Sequence, residues 1–300
     1  MEEQEMDRDI IIAVRGLKQY FKINESLTVK AVDGISFEIR RGEVFGLVGE
    51  TGCGKSTVAR VLSGIYRPAG GQVFFEGTPV SGKDASRAQI RRLQREMQII
   101  FQDSAASLNP GMTVEQIILE PLKIQKRASS TASARESILK MLARVGMDSA
   151  CLTKRPGELS GGQRQRVSIA RSLMLEPKLL IADEPIASLD ISIQAQIITL
   201  FQELQREKGF SFLFIAHDLS VVRFISDRTG VMLKGKLVEL APTEELFTEP
   251  RHPYTRSLLS AIHIPDPIQE RAKKMIHYDN TSPLGTQFTE ASPGHWVMEQ

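Results

Sequence analysis

The segment GETGCGKS at residues 49–56 has the residue types and spacing of a phosphate-binding loop. It fits G-x-x-x-x-G-K-[ST] and lies between an apolar run and a helix-like stretch. Glycines let backbone N–H groups approach phosphates, and the positive end of the following helix adds favourable potential. Lys55 can reach β- and γ-phosphates, and the Ser56 hydroxyl can ligate Mg²⁺. Much later, LLIADE (179–184) ends an apolar run in two carboxylates. A buried strand with such an end calls for a cation. Mg²⁺ would be that cation, with Asp183 holding it through water. Glu184 would then orient or deprotonate an attacking water. Taken alone, the pair also reads as a strand end turned to solvent before Pro185.

A second anion site is written at LSGGQ (159–163). Ser160 and Gln163 have the spacing of a capping box, which opens a helix with free N–H groups and small residues. Gly161 and Gly162 keep that start uncrowded. One domain has little use for two γ-phosphate sites. Two domains facing head-to-tail could use both, each completing the other's pocket.

These residues need elements to position them. Apolar alternation over residues 10–40 predicts antiparallel strands. The run 43–48 predicts a buried strand, and the loop helix is expected at 54–64. Further strands are expected at 72–76, 97–101, 179–182, 210–215 and 230–233. Helices are expected at 86–96, 160–175, 192–208 and 218–226. Residues 113–147 read as helical, broken at Pro121 and by the polar connection SSTAS (129–133). The strand–helix alternation predicts an α/β fold with a parallel sheet and a helical insert. Residues 1–9 are expected to fray, and beyond Ile262 the chain shows no clear period.

Composition limits the function. Hydrophobic residues make up 41% of the chain, enough for a sizeable core. A formal charge of +2 gives no bulk pull toward nucleic acid, and no nucleic-acid partner is expected. Two cysteines, Cys53 and Cys151, cannot build a disulfide framework. Cys53, beside Lys55 and a helix start, is expected to favour its thiolate. His252, His263, His277 and His295 lack metal-ligand spacing and read as surface or packing residues. No apolar run approaches the roughly 18–20 residues of a membrane span. The acidic start MEEQEMDRDI is unlike a signal peptide, so a cytoplasmic location is expected.

In this order the motifs resemble those of ABC transporter ATPases. The resemblance spans residues 10–262 and leaves 263–300 as a partly irregular C-terminal extension. It implies the P-loop NTPase fold of that family: a parallel-sheet core, an antiparallel β subdomain and a helical signature subdomain at about 103–176. ATP binding falls to Gly49, Glu50, Thr51, Gly52, Cys53, Gly54, Lys55, Ser56 and Thr57. Phe21 resembles the aromatic that stacks on adenine, with Tyr20 as the alternative. Gln102 resembles the glutamine that senses Mg²⁺ and faces the permease. His217 resembles the switch histidine at the γ-phosphate, and Asp190 the aspartate after the hydrolysis motif. Ser160–Gln163 resembles the signature that contacts the partner's γ-phosphate.

Five stretches are similar to the oligopeptide/dipeptide importer subgroup. They are FQDSAASLNP from Phe101, LSGGQRQR from Leu159, IADEP from Ile181, HDLS from His217 and PRHPYTRSLL from Pro250. The last also reads as a proline-started helix packed on the core. This resemblance implies Mg²⁺ with ATP, a second ATPase subunit in a heterodimer, two transmembrane permeases and an extracytoplasmic solute-binding protein. It places the chain peripherally on the cytoplasmic face of the cell membrane. Ala187-Ser188 departs from the Ser-Ala common at that point in the family, and the C-terminal tail lacks the cysteines of an iron–sulfur centre. No such cluster is expected. Nickel, metallophore and glycoside importers share nearly this sequence pattern and remain alternatives. Soluble ABC ATPases of translation or DNA repair fit less well, lacking here a second ATPase domain or coiled-coil heptads. A nucleotide-binding regulator without turnover is disfavoured by Glu184 and His217.

Overall fold

The computed structural model describes residues 9–82, 85–127, 131–187, 189–262, 275–281 and 284–299. Two sheets organise them. An antiparallel sheet has the order β2 (Thr28–Arg40), β1 (Ile10–Lys22), β4 (Gly70–Phe75), β5 (Thr78–Pro79). The main sheet runs β11 (Phe288–Ser292), β12 (His295–Met298), β10 (Lys236–Pro242), β9 (Arg228–Leu233), β3 (Val44–Val48), β8 (Ser211–Ala216), β7 (Leu179–Asp183), β6 (Met97–Ile100).

From β6 to β9 the main sheet is parallel. Strands β3, β7 and β8 are buried at every position, which is why they read as near-continuous apolar runs. Parallel pairing has a functional consequence. The carboxyl ends of β3, β6, β7 and β8 lie along one edge, so the loops leaving them converge there.

Helices Val114–Ile124, Thr131–Arg144 and Gly161–Leu173 form the helical insert. Pro121 does not break its helix; Val114–Ile124 runs through it. Ile117, Ile118 and Leu122 are buried on the inner face, and this packing outweighs the one backbone bond that proline forfeits. Residues 131–133 of the expected polar connection belong to the next helix. Ser129 and Ser130 lie outside the described residues, as do residues 1–8.

The larger departure is beyond residue 262. Strands β11 and β12 form a hairpin, and β12 pairs antiparallel with β10. The C-terminal extension therefore adds strands to the edge of the main sheet. Polar residues and short length hide these strands from periodicity; their burial is one-sided and partial.

Glu76 joins the two sheets electrostatically. Its carboxylate accepts from Arg41 at 2.6 Å, from Lys178 at 3.0 Å and from Arg92. Burial alone would raise this carboxyl, but the Lys178 and Arg41 hydrogen bonds outweigh it and hold it below the usual carboxylate range. A depressed acid pKa stabilises the fold above the unfolded value and loses that stabilisation as pH falls through the folded value. Glu76→Gln is therefore expected to cost about 1 kcal/mol at neutral pH, since all three cations reach solvent. The gap to wild type should close as the pH approaches 4 or below, measured by urea unfolding at stepped pH. A gap independent of pH would contradict this role.

Candidate functional site

The phosphate loop follows β3 and leads into helix Lys55–Leu62. Its glycines are required by space. A Cβ on Gly49 would lie 2.2 Å from the Met232 carbonyl oxygen, and one on Gly54 would lie 2.1 Å from that of Ala31. Both have positive φ, 150° and 113°. The loop is thus clamped between the β9 end and β2. The Gly235 N–H donates to the Cys53 carbonyl at 2.9 Å and tightens the same clamp.

Lys55 is buried, and its ammonium donates to the Gly49 and Glu50 carbonyls at 2.7 and 3.0 Å. The Ser56 hydroxyl donates to Asp183 Oδ1 at 2.8 Å. Burial raises the Asp183 carboxyl above its usual range; the Ser56 hydrogen bond opposes this and the neighbouring Glu184 adds to it. Two buried carboxylates side by side are a poor arrangement without a cation, and a hydroxyl already points at one of them. Ser56 and Asp183 therefore fit Mg²⁺, and Gln102 stands at the same edge.

Glu184 is the hub. Its Oε2 accepts from Gln102 Nε2 at 3.1 Å and lies 3.5 Å from His217 Nδ1; its Oε1 lies 3.7 Å from Lys55 Nζ. Three sequence-predicted residues thus meet on the carboxylate of a fourth, the four being delivered by the ends of β6, β7, β8 and β3. Glu184 has φ of 47°, a left-handed conformation that costs a non-glycine residue energy. Its N–H is held by the Ile215 carbonyl at 3.0 Å, which keeps the strained backbone in place. Beside it lies a cleft of about 60 Å³ lined by Ile186, Gln194, His217 and Asp218, with room for water.

Ser160 caps helix Gly161–Leu173 through the expected box: Gln163 N–H donates to Ser160 Oγ at 3.3 Å, and Ser160 N–H to Gln163 Oε1 at 3.0 Å. A Cβ on Gly162 would stand 2.9 Å from the Ile193 side chain, so the glycine lets this helix sit against helix Ile191–Lys208. Asp190 occupies the N-cap of that second helix, yet its side chain makes no capping bond. Among the described residues no hydrogen bond or ion pair joins residues 160–163 to residues 49–57. Ser188 lies outside the described residues.

Tyr20 and Phe21 separate clearly. The Tyr20 hydroxyl donates to Asp33, and Lys30 lies 5.7 Å above its ring. Phe21 instead meets Tyr66 edge-on at 5.5 Å.

The expectation for Cys53 is overturned. Burial pushes its thiol up, and the nearby Lys55 does not reverse this. The side chain is 6% exposed, so a helix start and a lysine in sequence were outweighed by desolvation. Cys151 is buried as well. His252 and His295 are buried and hydrogen-bonded within the fold, whereas His277 is exposed and His263 lies outside the described residues.

The model of the ABC transporter family matches residues 32–187. The chain belongs to the ABC transporter family. It is an ATPase of the transport-coupled class, and its fold is that of the ABC cassettes. A second model, described as the oligopeptide/dipeptide transporter C-terminal region, matches residues 238–290. The chain is 50% identical over 293 residues to an oligopeptide transport ATP-binding protein, OppF, of Bacillus subtilis (strain 168), covering 96% of this chain and 95% of that one. It is 45% identical over 295 residues to the OppF protein of Streptococcus mutans, covering 97% and 95%. A solved component of the cbiONQ ABC transporter complex from Clostridium perfringens superposes with a TM-score of 0.70 at 33% identity, covering 80% of this chain and 92% of that chain. A cassette solved as a dimer in a post-hydrolysis state with ADP and Pi gives 0.70 at 26% identity, over 77% and 98%. No helix among the described residues is long and apolar enough to cross a membrane.

Proposed function

We propose that this chain is the ATP-hydrolysing subunit that energises import of oligopeptides or dipeptides. The observation that carries the hydrolytic part is the convergence of Lys55, Gln102 and His217 on the Glu184 carboxylate. The peptide class is supported by the C-terminal region match and by the relatives' names.

The residues divide the work as follows. The loop 49–57 cradles the triphosphate with backbone N–H groups other than that of Glu50, which the Tyr254 hydroxyl accepts. Lys55 gives up its two carbonyl acceptors for phosphate oxygens, since a charged partner makes the stronger bond. Phe21 stacks on adenine, because Tyr20 is committed to Asp33. Ser56 and Asp183 would hold Mg²⁺, with Gln102 beside them; the ion supplies charge neutralisation to the phosphates. Glu184 takes the proton of the attacking water or fixes that water's lone pair. His217, 53% exposed, is free to swing from Glu184 toward the γ-phosphate. Ser160–Gln163 and Asp190 serve the site of a second subunit; among the described residues, 160–163 make no hydrogen bond to this chain's own phosphate loop and the Asp190 side chain makes no capping bond.

Two such domains close on ATP and reopen after hydrolysis, which shifts an open–closed equilibrium by differential affinity. The second subunit is a different chain of the same fold. Two transmembrane permeases convert closure into alternating access, and an extracytoplasmic solute-binding protein delivers cargo. The chain sits peripherally on the cytoplasmic face of the membrane.

The test is a reconstituted transporter in vesicles. Peptide-loaded binding protein should stimulate ATP turnover and drive labelled peptide inward. Stimulation by a nickel–metallophore or glycoside binding protein, with none by peptide, would replace the peptide assignment by that cargo. No turnover in any complete assembly would refute the ATPase role.

A further inference from the structure

The hydrolytic reading leaves a buried polar chain unexplained. It begins in the C-terminal hairpin and ends at the phosphate loop. His295, fully buried in β12, has Nδ1 2.7 Å from Glu245 Oε1 and Nε2 2.8 Å from Glu239 Oε1. Glu239, fully buried in β10, also accepts the Arg251 N–H at 2.6 Å and the His252 N–H at 3.0 Å. Those two amides immediately precede helix Pro253–Ala261. A carboxylate there satisfies amides that would otherwise be orphaned, and it complements the helix dipole.

The helix start is built for a fixed orientation. His252 is the N-cap, and its Nδ1 accepts the Tyr254 N–H at 3.2 Å. Pro253 occupies the first turn, where its missing N–H costs nothing. Tyr254 then projects into the interior, 2% exposed, with its ring edge-on to Tyr278 at 5.4 Å. Its hydroxyl accepts the Glu50 N–H at 3.2 Å, across 204 residues of sequence. Glu50 is the second residue of the phosphate loop.

We infer that Tyr254 is a positioning residue of the phosphate loop, and that the C-terminal hairpin sets its position through His295 and Glu239. The physical case rests on cost. A buried carboxylate and a buried tyrosine hydroxyl each demand partners. Here the carboxylate holds a helix start, and the hydroxyl holds one loop amide. That amide sits between Gly49, clamped on Met232, and Lys55, whose ammonium contacts the Glu50 carbonyl. Fixing Glu50 therefore fixes the side of the loop opposite the Gly54 clamp. Release of the hairpin would loosen the loop without touching any atom that meets nucleotide. This inference rests on the phosphates binding at residues 49–56.

Tyr254→Phe removes the acceptor and keeps the ring, so the packing against Tyr278 survives. Full-length chain is titrated with MgATP by competition against a fluorescent nucleotide. Tyr254→Phe should bind about fivefold more weakly, the equivalent of one ordinary hydrogen bond. In the assembled transporter, KM for ATP should rise by a similar factor while kcat at saturating ATP stays near wild type. A merely structural defect would lower the active fraction, and so kcat, and leave KM alone. His295→Gln should weaken MgATP binding in the same direction by a smaller factor. The double variant should bind no more weakly than Tyr254→Phe, because both act through one route. Wild-type affinity in Tyr254→Phe would overturn the inference, as would losses that multiply in the double variant. Failure of wild-type chain to bind MgATP would instead remove the phosphate placement, and is seen before any substitution is made.

Discussion

Glu184→Gln is expected to lower ATP turnover by about 10²–10⁴ while leaving ATP binding intact, the usual loss for a general base. The substitution keeps side-chain shape and removes the charge. The backbone should tolerate it: Glu184 N–H remains on the Ile215 carbonyl, and the φ of 47° makes no demand on the side chain. What disappears is the carboxylate on which Gln102, His217 and Lys55 converge. A neutral amide cannot take a proton from water. The phosphate-contacting groups, by contrast, are untouched. The closed two-domain state should therefore accumulate with ATP uncleaved, since ATP favours closure and nothing removes it. Single-turnover kinetics and nucleotide affinity, measured with the partner subunit, test both halves. Turnover near wild type would remove Glu184 from the role of base and leave the strained backbone unexplained.

Ser160→Ala is expected to damage the partner's site and spare the chain's own. If Ser160 only capped its helix, the loss would be about 1 kcal/mol of stability and little else. The cap is present, but its Oγ contact is long at 3.3 Å and the side chain is exposed. If Ser160 Oγ also meets the partner's γ-phosphate, one donor is lost from a transition-state site, which typically costs about 10²–10³ in rate. ATP should still bind at this chain's own loop, because Lys55 and Ser56 are intact. The measurement pairs Ser160→Ala chain with a partner whose signature is intact, and silences the partner's base to isolate each site. Turnover kept at the partner's loop and lost at this chain's own would refute the composite site.

Much of the chemistry was legible because it is local. A phosphate loop needs its glycines, lysine and serine within eight residues, so spacing alone announces it. The two carboxylates were visible because they end an apolar run, and the capping box because a helix start is satisfied by residues three apart. The structure places each where expected, with strand ends shifted by one or two residues. Cys53 shows where local reasoning misleads. Its neighbours in sequence argue for a thiolate, but its burial in the folded chain decides the opposite. Pro121 misleads in the same way: proline argues for a break, and a buried face argues for continuity.

The sequence by itself determined the chemical inventory and the order of the elements that carry it. It could not determine the meeting of Gln102 with Glu184, 82 residues apart, or the different surroundings of Tyr20 and Phe21. The first depends on parallel strand order, which brings distant loops to one edge. The second depends on Asp33, a residue on the neighbouring strand. Nor could it reveal that the C-terminal tail joins the main sheet. Strands β11 and β12 are short and half-exposed, and they exist because β10 offers an unpaired edge. The tyrosine that reaches Glu50 was visible only as part of a proline-started helix. Hydrogen bonds across such separations carry no signature in sequence, because the energy that forms them comes from burial shared by the whole fold.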